Sequence, residues 1–353
     1  MNGRGWAART AAILVPIALA FAVAIVLLQL GGAPPLEALR LLWDGSVGSG
    51  AKVADTLAAW VPLTLAAAGL VVTFAAGLWN IGIEGQIVAG AIAATWVARE
   101  APGPTPVLIP LMLLAGVIGG TLWALLAGVL KTRGGVNEIF GGLGLDFVAS
   151  GLVIYLVIGP WKRAGIASTS GTDLFRNEAW LPTAGVNNVP AIAIGLTVAA
   201  VILVYLLMRG TRFGLRMKAV GRNARSAHLM GIPTERYTLG AFALCGGLAG
   251  LAGAIQVSSA FHKLVPSVSG GYGFLGILVV LLAAFRAAWI APIALFFAAV
   301  AVGSTQLSLR LNLDSSLGGV LQGVLVLLVI LAGGWQARRS RRARVDPTSR
   351  EEP

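Results

Sequence analysis

Apolar runs of bilayer-crossing length recur from end to end of this 353-residue chain, and they limit its fold more than any other feature. A hydrocarbon core offers no water to backbone N–H and C=O groups, so a segment inside it must satisfy them internally, as a helix of about 20 apolar residues does. A membrane barrel would show short alternating segments instead. With 57% hydrophobic and 11% charged residues, the sequence reads as an all-α polytopic membrane protein, one transmembrane domain over residues 1–353. Ten spans are expected: Ala11 to Leu30, Leu57 to Leu78, Ile83 to Val97, Val107 to Leu130, Glu138 to Ile158, Val189 to Met208, Leu239 to Val257, Gly273 to Phe285, Ile290 to Leu307 and Leu317 to Leu331. The first follows Arg4 and Arg9 and is longer than the apolar region of a signal peptide, so it is read as retained.

A net charge of +12 raises the question of nucleic acid, but in such a chain the position of the basic residues matters more than their sum. With the N-terminus inside, the inner segments carry 18 of the 26 Lys and Arg: two before the first span, Lys131 and Arg133, seven from Arg209 to Arg236, Arg286, and six in the tail from Arg338. Basic residues near span ends resist translocation, so both termini are expected in the cytoplasm. The cytoplasmic loop 209–238 and the basic tail 335–353 are the main polar segments, and "ARRSRRAR" (Ala337 to Arg344) reads as a topological anchor rather than a nucleic-acid patch. One cysteine and two histidines, far apart, give no expectation of a disulfide or metal site.

Two spans are too short. Ile83 to Val97 rises about 22 Å and Gly273 to Phe285 about 20 Å, against a core of about 30 Å. Each opens on a polar or glycine-rich element, "NIGIEGQ" (Asn80 to Gln86) and "SVSGGYG" (Ser267 to Gly273). If helices 2–5 and 7–10 repeat, each short helix is second in its half, and the odd offset of five inverts one half against the other. Paired short helices in inverted halves mark a transport pathway. The glycines of "CGGLAGLAGA" (Cys245 to Ala254), by contrast, have the spacing that lets helices pack closely.

Glu84 lies in the first turn of the third span, after Asn80, a good N-cap residue. It is either a cap at the inner face or a pathway residue. Asp146 stands eight residues into the fifth span, about 12 Å from its start, between Leu145 and Phe147. A charge there faces protein or water, as a substrate contact or as a structural hydrogen bond. Asn137 and Glu138 look like cap residues. In the basic loop Asn223 can cap a short helix, Ala224 to Met230, ended by Gly231 and Pro233, which either rests on anionic lipid or docks a soluble partner. The chain has no phosphate-binding G-x-x-x-x-G-K-[ST] loop, no H-E-x-x-H and no G-x-S-x-G, so any ATP is used by another chain.

Four stretches, "NIGIEGQIVAGA" (Asn80 to Ala91), "GGVNEIF" (Gly134 to Phe140), "AVGRNARSAHLMGI" (Ala219 to Ile232) and "GGYGFLGILVVLLAAF" (Gly270 to Phe285), resemble in this order the permease subunits of bacterial ABC importers of the branched-chain amino acid and simple sugar class. The pairing of "NIGIEGQ" with "VNE" is most similar to nucleoside-type permeases that work with a basic-membrane-protein-like lipoprotein. The resemblance covers roughly Thr56 to Gly334. It implies a type II permease of the vitamin B12 importer kind in the bacterial inner membrane. Two permease subunits, alike or different, would form the pathway, with ATPase subunits below and an extracytoplasmic binding lipoprotein above. No cofactor would be bound by this chain, ATP and Mg belonging to the ATPase. Arg222, Asn223, Ala224, Ser226, Ala227, His228, Met230 and Gly231 would belong to the coupling helix. One departure is "LGLDFVA", where relatives usually carry Asn in place of Asp146; a charge there would alter substrate preference.

The resulting expectation is an ATP-driven importer permease working by alternating access on a nucleoside or simple-sugar-like solute. Asn80, Glu84, Gln86, Asp146 and Tyr272 would line or shape its pathway. The alternative is an ion- or proton-coupled secondary transporter in which Asp146 and Glu84 titrate. A membrane-embedded enzyme acting on lipids is a third, disfavoured by the lack of a nucleophile and base pair.

Overall fold

A computed structural model describes residues 34–163 and 170–311, residues 25, 26 and 29, and parts of 318–331. Most of the expected span Ala11 to Leu30, the tail 335–353 and part of Leu317 to Leu331 lie outside the described residues. The described residues are helical, with one isolated bridge, Ala184 to Val189. In chain order the helices are α1 (Pro35–Val47), α2 (Gly50–Ala75), α3 (Ile83–Glu100), α4 (Thr105–Thr132), α5 (Glu138–Ile158), α6 (Ala191–Gly210), α7 (Arg212–Arg222), α8 (Ala224–Leu229), α9 (Thr234–Ile255), α10 (Tyr272–Leu282) and α11 (Ile290–Leu311). Six helical segments among the described residues are long and apolar enough to cross a membrane: α2, α4, α5, α6, α9 with its π-helical extension to Ala260, and Ala287–Leu311.

The chain divides into two compact units, Met1–Gly48 with Ala299–Pro353, and Ser49–Ala298. In the first, α1 packs through Ala38 against Leu307 of α11, with Leu41, Leu42 and Leu311 around them. The sequence reading left α1 out: it opens at Pro34–Pro35 with Glu37 in its first turn, good helix-start chemistry, but its 13 residues are too few to span.

In the larger unit α2 is the central helix. Of its most apolar stretch 83% is buried, against 28% for α4, α5 and α6, whose outer faces stay free for lipid. It starts at Gly50, seven residues before the expected Leu57, capped by Ser49, whose side chain accepts from Lys52 N at 3.3 Å. Around it α3, α4 and α9 cross at glycines. A Cβ on Gly250 would collide with the Gly116 carbonyl, and one on Gly246 with Gly120 O and Ala124 Cβ; Gly90 meets Gly250, and Gly253 meets Ile87 O. Small residues substitute for the hydrophobic drive that lipid cannot supply. At the end of the unit that carries the basic loop, Ala68, Val72, Ala124, Val204, Met208, Met217 and Phe242 form a continuous core.

Of the two expected short helices, α10 is short and α3 is longer than expected. α3 continues three residues past Val97, for about 27 Å, while α10 has only 11 residues, about 16 Å.

Candidate functional site

The loop that begins at Gly77 folds back on the basic segment. Gly77 has φ 74°, the left-handed region open to glycine, and a Cβ there would meet Gly221 O of α7 at 2.9 Å. Five residues on, Gly82 passes Gly142 of α5 so closely that a Cβ would lie 2.7 Å from the Gly142 backbone. Gly82, not Asn80, is the N-cap of α3, and it carries no side chain to cap with. The capping role is taken by Asp146: its Oδ1 accepts from Gly85 N in the first turn of α3. Asn80 instead pairs with Gln86. Its Nδ2 donates to Gln86 Oε1 at 3.1 Å and to Cys245 Sγ at 3.1 Å, and Gln86 Nε2 donates back to Asn80 Oδ1 at 2.9 Å. Both amides are buried, each giving a donor and an acceptor to the other, so the loop is closed by a reciprocal bond.

Glu84 reaches across to the other short helix. Its Oε1 accepts from Gly273 N at 2.8 Å and Phe274 N at 3.1 Å, two N–H groups in the first turn of α10. Those groups have no partner within their own helix, and the dipole favours an anion beside them. Glu84 therefore caps a helix 189 positions away rather than its own. The two carboxylates join three elements: α5 to the start of α3, and α3 to the start of α10. No periodicity could have revealed this, because the partner N–H groups are generic backbone.

Tyr272, which opens α10, lines a cavity of about 750 Å³ at the end of the unit away from the basic loop. Its wall also includes Asp55, Trp180, Asn187, Gln256 and His262. The segment 170–181 is stitched along 258–264 to form part of this wall. Thr172 N donates to Leu264 O at 2.9 Å, Phe175 N to His262 O at 2.8 Å, and Leu181 N to Ser258 O at 2.8 Å. Trp180 and His262 stack with ring centroids 4.0 Å apart and planes at 16°. His262 Nδ1 donates to Ser258 O at 3.0 Å, a carbonyl that can only accept, which leaves Nε2 as its free ring nitrogen. Burial pushes this imidazole below its usual range, keeping it neutral near pH 7. The sequence reading missed Trp180 and His262, which come from separate loops. Of its five pathway candidates Tyr272 lines the cavity; Asn80, Glu84, Gln86 and Asp146 lie buried in the network joined to it.

At the other end, Asn223 caps α8 as expected, its Oδ1 accepting from Ser226 N at 2.9 Å. Gly231, at φ 78°, ends the turn, with Gly231 N on His228 O and Ile232 N on Ala227 O. Ala227 is buried, whereas Arg222, Asn223, Ala224, Ser226, His228 and Gly231 are exposed. Leu229 and Met230 stand 81% and 80% exposed, an unusual position for two apolar side chains on a polar loop. The sequence reading placed one helix here; α7, capped by Thr211 on Gly214 N at 3.0 Å, is a second. An ion pair between Lys131 and Glu138 at 2.6 Å and another between Arg133 and Glu235 at 3.1 Å tie together the ends of α4, α5 and α9.

Apolar spanning helices, two short helices joined by the buried carboxylate of Glu84 and a cavity at their junction are features that suit a membrane transport subunit. The family model for the permease component of branched-chain amino acid transport systems matches residues 53–330, and the chain belongs to that family. It is similar to the glucose ABC transporter permease protein TsgB13 of Haloferax volcanii, 32% identical over 335 residues, 92% of this chain and 88% of that one. It is also similar to the guanosine ABC transporter permease protein NupP of Bacillus subtilis, 26% identical over 90% of this chain and 91% of the relative. The nucleoside ABC transporter permease protein NupB of Lactococcus lactis is 26% identical over 83% and 82%. The chain is thus an integral membrane protein, a permease subunit of an ABC importer rather than an enzyme, and it acts in a system with ATPase and substrate-binding components.

Proposed function

We propose that this subunit carries a nucleoside or simple sugar inward through the Trp180–His262 cavity, by alternating access driven by a separate ATPase. The observation that carries the reading is the position of Tyr272. It lines the polar cavity, and the next residue, Gly273, is held by Glu84, so the cavity is bonded directly to the junction of the two short helices. A volume of about 750 Å³ suits a small solute, and stacked rings beside Asn187, Gln256 and Asp55 suit one with a flat or apolar face edged by hydroxyls. The relatives named for glucose, guanosine and nucleosides agree with that chemistry.

In this reading the chain has ten spans and a type II permease fold, with helices 2–5 and 7–10 in inverted repeat and both termini cytoplasmic. It pairs with a second permease subunit, alike or different, and receives solute from an extracytoplasmic lipoprotein. The exposed Leu229 and Met230, with Arg222 to Gly231 around them, form the coupling helix that inserts into the ATPase. ATP and Mg are bound there, and no cofactor by this chain. Motion passes from α8 through α7, where Gly221 rests on Gly77, to the loop that positions Glu84. One oxygen of each carboxylate accepts from the N–H groups that open a short helix, which supports a positioning role for both in this scheme.

The test is uptake of labelled guanosine and glucose by proteoliposomes holding the complete importer. Uptake of one of them should need ATP, and Trp180→Ala should raise its half-saturation concentration at least about tenfold, the loss of a stacking contact plus its buried area. Uptake by this chain alone, driven by a proton gradient without ATP, would refute the proposal.

A further inference from the structure

A second cavity, of about 350 Å³, lies at the basic end of the larger unit, where α2 and α6 end. Arg209, Lys218 and Arg286 all line it, and its remaining wall includes Tyr205, Met208 and Phe285. None of the three cations is in an ion pair among the described residues. Two of them are held by side-chain contacts, and the third is placed by its backbone. The Arg209 guanidinium donates to the Tyr205 hydroxyl and lies 5.3 Å from the centre of that ring. Lys218 Nζ donates to Met208 O at 2.6 Å.

Arg286 is delivered by a costly turn. Ala284 and Phe285 follow one another at φ 49° and 60°, the left-handed region that L-residues avoid, with Phe285 N bonded to Val280 O at 3.1 Å. Backbone strain of this kind collects at sites that hold a ligand or a switch. Part of the positive charge complements the helix C-termini that gather here. That role uses one N–H of the lysine, which leaves two more, and most of the five on each arginine. The cavity wall also carries Val71, Ala75 and Phe285, which packs edge-on against Phe74 at 5.7 Å, and on the elements that bear the cations Trp289, Leu203 and Leu206 are 55%, 64% and 58% exposed. A convergent triple of cations next to an aromatic and aliphatic face matches an amphiphile with an anionic head.

We propose that this cavity binds the phosphodiester headgroup of an anionic membrane lipid, held by Arg209, Lys218 and Arg286, with an acyl chain along Phe285, Trp289 and α6. The site faces the cytoplasmic leaflet if the orientation proposed above is right, but its binding chemistry does not depend on transport, so the two stand or fall separately.

Native mass spectrometry tests it on the full-length permease released from micelles doped with phosphatidylglycerol or phosphatidylcholine. Phosphatidylglycerol should be retained in preference. Its half-saturation should rise about fivefold for each single Gln substitution at the three positions and about a hundredfold for Arg209→Gln, Lys218→Gln and Arg286→Gln together. Should the triple variant not assemble, Arg209→Gln with Arg286→Gln leaves Lys218 on its carbonyl and should cost about 25-fold. Equal retention of the two lipids, or unchanged retention in the variants, overturns the proposal. Displacement of the lipid by inorganic phosphate at similar concentration overturns it in favour of a free-phosphate site. Unchanged retention with loss of the ATPase subunit overturns it in favour of an acidic protein surface.

Discussion

Glu84 decides more than any other single residue, because two orphan N–H groups at the start of α10 depend on one of its oxygens. Glu84→Ala strands both, the Gly273 N–H in a buried site, at roughly 1–3 kcal/mol each, and a thermal melt of the purified complex should register a loss of about 2–6 kcal/mol. Glu84→Gln keeps the accepting oxygen and should lose less than half as much. Equal losses for the two variants would show that charge, not acceptance, is what the site requires. Asp146 follows the same logic at α3, through Gly85 N. Sequence singled out both carboxylates as anomalies because an apolar span rarely carries one without a partner. It left their role open between cap and pathway, since the partners are backbone groups that any residue could supply. For Asn80 it suggested an N-cap, whereas the side chain is spent on Gln86 and Cys245.

The helices of the larger unit hold together by close approach. α9 contributes Gly246, Gly250 and Gly253, each in backbone contact with α3 or α4. Gly250→Val should push α4 and α9 apart, since the new Cβ falls on the Gly116 carbonyl with the Gly120 backbone beyond it. Overpacking of this order costs about 1–3 kcal/mol or more, and protease sensitivity of the variant in membranes should increase. Gly144→Val, on α5 where nothing lies within 4 Å, is the matched control and should leave it unchanged. The packing glycines were legible from their spacing. Helix ends were less so: α2 begins before its apolar stretch and α3 runs beyond its own, because capping and side-chain contacts, not hydropathy alone, set where a helix stops.

Over the whole molecule, the basic loop and the cavity lie at opposite ends of the larger unit, and α7, the Gly77 loop, α3 and α10 form a continuous packed path from one to the other. Such a path is able to carry a two-state change, and its far end is the exposed pair Leu229 and Met230. Replacing His228 and Met230 with Asp should abolish co-purification of the ATPase subunit while insertion and the thermal midpoint stay as they are. Undiminished assembly would remove α8 from the docking surface. The sequence by itself determined that the chain is helical, that it crosses the membrane repeatedly, that two of its helices are short and polar at their starts, and which permease family it resembles. These follow from the absence of water in the bilayer and from local helix chemistry, both of which act along the chain. Only the tertiary structure decided which N–H groups the buried carboxylates satisfy, that Trp180 and His262 meet, and that Arg209, Lys218 and Arg286 converge. Those relations join residues tens to hundreds of positions apart, and no period or motif records which distant segment will lie alongside.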